Sequence, residues 1–111
     1  MDYYIRFLSM AQTVQTLPSA PKLSATEEHL LEAVTVSWYK GRRLTVTETM
    51  ALSIIGAPAT VYRKLTNLRK QGLVSVDESN NDLRIKTVAP TRKALDYFGK
   101  LATCLEEAKR C

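Results

Sequence analysis

The chain has 111 residues and a formal net charge of +5, with 45% hydrophobic and 24% charged residues. That length fits one domain with a modest core and is short for a free-standing enzyme with a deep pocket. No run approaches the roughly 18 apolar residues of a membrane helix, and the opening "MDYYIRFLSMAQTVQT" is no export signal, because Asp2 and Arg6 interrupt it and no long apolar block follows.

Residues 2–16 place apolar side chains at 4, 7, 8, 11 and 14, the spacing of an amphipathic helix. "LPSAPK", with Pro18 and Pro21, ends it and marks a short linker. "SATE" at 24–27 is a capping-box sequence: Ser24 caps the helix start and Glu27 reaches back. The helix it opens runs to about Tyr39, with Leu30, Leu31, Val34 and Trp38 on one side and Gly41 as its stop. "RLTV" is a short extended piece. Thr45 and Glu48 form a second capping signal and open a short helix through about Ile55. Gly56 allows a sharp turn, and Pro58 suits the first turn of the next helix, about 58–71, which ends at Gly72. "LVSV" and "LRIKTV" alternate with period two around "DESNND", a hairpin with Asn80–Asn81 as its turn signal. "TRKALDYFGKLATCLEEAKR" is a last helix, capped by Thr91, with apolar positions at 95, 98, 102 and 105 and a local weakness at Gly99.

Two short helices joined by a tight turn and followed by a hairpin describe a winged helix-turn-helix. The expected fold is mostly α with a small β-hairpin wing and extra N- and C-terminal helices. The expected organisation is an N-terminal helix and linker at 1–22, a winged helix-turn-helix at 23–90 and a C-terminal helix at 91–111.

The charge is unevenly placed. Residues 40–93 hold eleven basic and four acidic side chains, and the two flanks together hold five basic and seven acidic. A basic excess confined to the middle of the chain points to a polyanion partner, against the plainer reading of a solvated basic surface. On helix 58–71, Val61, Leu65 and Leu68 form one apolar stripe, and Ala59, Arg63, Thr66, Asn67 and Lys70 lie opposite, flanked by Thr60 and Tyr62. One narrow face in the core and another offering donors to base edges and phosphates is what a recognition helix needs. Arg63 is placed for a base, Thr60 and Asn67 for bases or phosphates, and Lys64, Arg69 and Lys70 for phosphates, with Pro58 at the approach. Any amphipathic surface helix has a charged outer face; the turn before it and the hairpin after it carry the functional reading. In the hairpin, Arg84 and Lys86 are expected on one face of the second strand, with Asp82 bracing Arg84.

"LTVTETMALSIIGAPATVYRKLTNLRKQGLV" and "NDLRIKTVAPTRKALDYF", covering about 44–98, resemble the winged-helix domain of MarR-type bacterial transcription regulators. In that family the wing aspartate orients an arginine that enters the minor groove, and Asp82 and Arg84 match those two positions. The resemblance implies a two-fold dimer and a small-molecule effector of unknown identity. Thr49 stands where the family usually has an apolar residue, and family chains are longer, with more extensive dimerising helices. Here only residues 2–16 and 91–110 are left for that role. Tyr4, Phe7, Leu8, Ala11, Val14, Leu95, Phe98, Ala102 and Leu105 are its expected interface, being too apolar to leave in water.

Enzyme chemistry has little to stand on. His29 has no cysteine or histidine at metal-ligand spacing, no serine lies in a nucleophile elbow, and there is no glycine-rich phosphate loop. Glu27, Glu28 and Glu32 read as helix-start and solvent-face charges. Cys104 reads as packed, and with Cys111 it fits reduced cytoplasmic thiols better than a disulfide framework. The expectation is therefore a cytoplasmic, non-enzymatic, homodimeric regulator that binds duplex DNA, with no cofactor, metal or membrane. Its recognition helix, about 58–71, would occupy the major groove and its wing, about 73–89, the minor groove. The alternative is a winged-helix module that binds protein.

Overall fold

The computed structural model describes residues 1–79 and 81–110, so Asn80 of the expected turn and Cys111 lie outside the described residues. The elements are α1 (Asp2–Gln15), α2 (Ala25–Tyr39), β1 (Leu44–Thr45), α3 (Val46–Met50), α4 (Pro58–Lys70), β2 (Val74–Val76), β3 (Thr87–Pro90) and α5 (Arg92–Arg110). The chain is mostly helical and has a winged helix-turn-helix fold, divided into two units, residues 23–94 and residues 1–22 with 95–111.

In the first unit α2, α3 and α4 pack around a three-stranded antiparallel sheet of order β1-β3-β2. Val74 faces Pro90, Val76 faces Val88, and Val88 also faces Leu44 across β1. Leu30, Leu31 and Val34 of α2, Val46 of α3, Val61 and Leu68 of α4, Leu73 and Val88 are all fully buried, and Leu65 and Val74 are nearly so. Completely burying an aliphatic side chain of this size is worth roughly 1.5–3 kcal/mol relative to exposure.

Local sequence accounts for most helix ends. Ser24 and Glu27 close a reciprocal capping box, with Glu27 N–H to Ser24 Oγ at 3.2 Å and Ser24 N–H to Glu27 Oε1 at 2.9 Å. Thr45 and Glu48 do the same at 3.0 and 2.9 Å. At the end of α4, Gly72 adopts φ +76°. Its N–H donates to Arg69 O, while the Leu73 N–H donates to Leu68 O, both at 3.0 Å. This double closure needs a left-handed residue, which glycine adopts without a Cβ penalty.

Two elements depart from the sequence expectation. The helix opened by Thr45 stops at Met50 rather than near Ile55, and two tight turns follow, Leu52 N–H to Thr49 O and Ile55 N–H to Leu52 O. The residues that would continue it find no core: Ile54 is 93% exposed. The returning strand begins only at Thr87, because the carbonyl of Asp82 takes the N–H groups of both Ile85 and Lys86 and closes a turn in place of a ladder. In α5, Ala94, Tyr97, Cys104 and Ala108 are the buried positions, and Leu95, Phe98, Ala102 and Leu105, the expected interface positions, lie on the adjacent, more exposed face.

The second unit is formed by α1, the linker and α5 from Leu95 onward. α1 and α5 run antiparallel: Arg6 near the start of α1 donates to the carbonyl of Ala108, and Gln15 at its end reaches the Tyr97 hydroxyl at 3.4 Å. Ala11 packs inside this unit, so it is interior and not part of a free interface. Tyr4 and Leu105 are exposed, as is Ala102, whereas Phe7, Leu8, Val14, Leu95 and Phe98 are half-buried. Tyr3 and Ile5, which helical spacing had not singled out, are also more than half exposed.

Candidate nucleic-acid interface

α4 is the centre of the site. Val61, Leu65 and Leu68 point into the core, and Pro58, Ala59, Tyr62, Arg63, Arg69 and Lys70 are exposed. Thr60 and Thr66 are half-buried, and the Thr66 hydroxyl donates to Tyr62 O at 3.0 Å, leaving its oxygen as an acceptor. Among the described residues Arg63 and Lys70 have no ion-pair partner, so both charges are free for a ligand. α4 begins without a side-chain cap at Ala57, and Pro58 occupies its first turn, where a missing N–H costs nothing.

Asn67 differs from its expected placement opposite the core, and Lys64, expected to meet phosphates, lies beside it. Both are half-buried at the edge of α4 that faces the start of α2. The Glu27 carboxyl there is held below the usual glutamate range, first by the Ser24 backbone N–H; burial opposes this, and the Ser24 hydroxyl, Lys64 and Asn67 add to it. A glutamate that the sequence presents as a cap thus also faces the Lys64 and Asn67 edge of α4.

Behind α4, a threonine supports α3. Thr49 is fully buried, yet its hydroxyl is satisfied by donating to Thr45 O at 2.9 Å. A polar residue is tolerated in this core position because it carries its own acceptor.

The wing is attached to α3 by backbone. Two N–H groups of the first turn of α3, which a helix leaves unpaired, are taken by wing carbonyls: Val46 N–H by Lys86 O at 2.9 Å and Thr47 N–H by Leu83 O at 3.2 Å. Asp82 and Arg84 sit in the turn. Arg84 donates through Nε to Asp82 Oδ1 at 3.1 Å and through Nη2 to Oδ2 at 2.9 Å, and its backbone N–H donates to Oδ1 at 2.9 Å. These bonds hold the Asp82 carboxyl below the usual aspartate range. The Arg84 side chain is nevertheless 80% exposed, so the pair orients the guanidinium without covering it.

Arg84 and Lys86 do not share a strand face, which corrects the sequence reading. Residue 84 lies in the turn and residue 86 precedes the strand. The Lys86 side chain is only 15% exposed and lies 3.5 Å from Glu78, which also pairs with Arg69 of α4. Leu83 and Ile85, exposed on either side of Arg84, had not been singled out.

No family model matches the chain, and no curated protein matches it in sequence. Its fold is shared with solved bacterial proteins. MepR of S. aureus, solved bound to ethidium bromide, superposes with a TM-score of 0.70 at 16% identity, covering 96% of this chain and 72% of MepR. ZitR of Lactococcus lactis, described as a zinc-responsive MarR family member, gives 0.55 at 23% identity over 96% of this chain and 76% of its own. It has also been solved in complex with DNA. The adhesin competence repressor AdcR of Streptococcus pyogenes gives 0.54 at 21%, covering 97% of this chain and 72% of that one. The chain therefore has the winged-helix fold found in a MarR-family regulator. No helix among the described residues is long and apolar enough to cross a membrane, and none of their His, Cys, Asp and Glu side chains cluster as a metal site.

Proposed function

We propose that this protein is a MarR-type transcription regulator that binds duplex DNA as a homodimer, with α4 in the major groove and the Asp82–Arg84 turn at the minor groove. The observation that carries the reading is the pairing of two exposed guanidinium groups on separate, fixed supports. Arg63 stands unpaired on the outer face of α4, and Arg84 is held by two bonds from one carboxylate at the wing. A neutral or basic partner would leave Arg63 and Lys70 without compensation; phosphates and base acceptors compensate both. The neighbour solved with DNA supports the same reading. Apolar groups suited to a protein-binding helix are sparse here, with Tyr62 the large one on the outer face of α4.

Dimerisation would use the second unit, whose Tyr3, Tyr4, Ile5 and Leu105 leave apolar surface in water. A two-fold dimer would make the site pseudo-palindromic, with half-sites about one helical turn apart. The ethidium bound to MepR supports an organic effector as the accompanying expectation.

The test is titration of labelled duplex DNA from a random-sequence pool at several salt concentrations. If about six phosphates are contacted, log affinity falls against log salt with a slope of roughly −5. Absence of binding at about 50 mM salt, where counterion release favours the complex most, removes the DNA reading.

A further inference from the structure

Beyond the proposed base and phosphate contacts, Glu78 stands between basic side chains of α4 and the wing. Glu78 follows β2 at the point where the ladder ends, the last rung being the Asp77 N–H to Thr87 O bond at 3.0 Å. Its carboxylate pairs through Oε1 with Arg69 in the last turn of α4 and through Oε2 with Lys86, 3.5 Å away on the returning arm of the wing. A single side chain thus touches the recognition helix and both arms of the wing.

We propose that Glu78 is a positioning residue for DNA recognition: it clamps the wing to α4, setting the separation between Arg63 and Arg84, and withholds Arg69 from phosphate. The inference rests on the DNA-binding reading above. The physical case has two parts. Wing residues beyond the ladder are tied on the α3 side by the Val46 and Thr47 N–H groups, and Glu78 supplies the tie on the α4 side. The second part is electrostatic. A carboxylate beside an arginine on a DNA-facing helix lowers non-specific attraction, which is the part of binding that carries no sequence information. An exposed ion pair alone contributes little. Here two cations share one carboxylate, and Lys86 is mostly sheltered, so the tie adds a link to α4 that the backbone bonds of the segment, which run to α3 and to Asp82, do not supply.

The experiment uses the full chain, wild type, Glu78→Gln, Arg69→Gln and the double variant, with two readouts. Without DNA, amide hydrogen exchange at residues 83–86 should speed up about threefold in each single variant, the change expected from losing a weak ion pair. The double variant should be no faster than Glu78→Gln, because Arg69→Gln removes only the Arg69 half of what Glu78→Gln already removes. Core amides of α2 should be unchanged, which verifies folding. With DNA, Glu78→Gln should bind random duplex more tightly, with a salt slope steeper by about one, as Arg69 gains a phosphate. It should also lose preference at the A·T-rich flank assigned to Arg84 while keeping the preference read by α4. Wild-type exchange rates at residues 83–86 in Glu78→Gln overturn the clamp. Unchanged salt slope and flank preference overturn its role in recognition. Failure of the wild type to bind any duplex overturns the DNA reading itself and with it that role, while the exchange rates still decide the clamp.

Discussion

Arg63 and Arg84 carry the same charge but are presented differently, and this separates their expected effects. Arg63 projects from the outer face of a helix whose opposite side is fully packed, and it has no ion pair among the described residues. Arg63→Ala should cost about 1–3 kcal/mol on a preferred duplex and flatten the preference at one position per half-site. Arg84 is already bonded to Asp82, so its direction is set before any DNA arrives. Arg84→Ala should weaken binding to many sequences and relax only an A·T-rich flank, since minor-groove readout is mostly A·T against G·C. A panel of single-base changes, titrated at fixed salt, distinguishes the two. Uniform losses for both would reduce Arg63 to a phosphate contact. Asp82→Asn should fall between wild type and Arg84→Ala, because it keeps an acceptor and loses the charge.

The elements depend on local closures whose loss is measurable. Ser24→Ala removes the hydroxyl that accepts the Glu27 N–H and should cost about 1 kcal/mol of stability, read from the denaturation midpoint. Glu27 also gives a pH signature. Its folded-state pKa is depressed, so its contribution is present above the ordinary value and is lost as pH falls through the lower folded value. Glu48, Asp77 and Asp82 are shifted the same way. Glu32 is shifted upward by burial, with Glu28 adding, and therefore opposes the trend. Stability should consequently decline as pH falls below the ordinary carboxylate values of 4.5 and 3.8, and Glu27→Gln should make that decline shallower. A thermal-midpoint series across this range checks it, and an unaltered slope in Glu27→Gln would assign the acid sensitivity to the other carboxylates. At the far end of α4, Gly72→Ala should cost about 1 kcal/mol because φ is positive there.

For the whole molecule the decisive property is assembly. The second unit buries Ala11, Tyr97, Cys104 and Ala108 within itself, yet leaves Tyr3, Tyr4, Ile5 and Leu105 more than half exposed. Sedimentation at micromolar concentration should therefore report twice the 12.5 kDa chain mass. Tyr4→Lys together with Leu105→Lys should shift it toward the monomer, by placing charge on surface that dimerisation would bury. A monomer mass for the wild type, with and without DNA, would remove the dimer from the proposal.

What the sequence determined by itself was whatever depends on neighbours close along the chain. Both capping boxes, the glycine stop of α4, the Val61–Leu65–Leu68 stripe and the Asp82–Arg84 pair are interactions within a few residues, so spacing and side-chain chemistry suffice to read them. The winged order followed from these in sequence. The tertiary structure decided which faces find a partner. The α5 pattern offers apolar residues on two adjacent faces, and within the chain it is the face of 94, 97, 104 and 108 that is buried. Alternation from Leu83 to Val88 suggested a longer strand, but Asp82 offers a competing local acceptor, and α3 takes the Leu83 and Lys86 carbonyls. Glu78 is 9 residues after Arg69 and 8 before Lys86, and no helical or strand periodicity links those positions. Their meeting is a consequence of the wing folding back toward α4, and long-range closure of this kind leaves no local spacing to read.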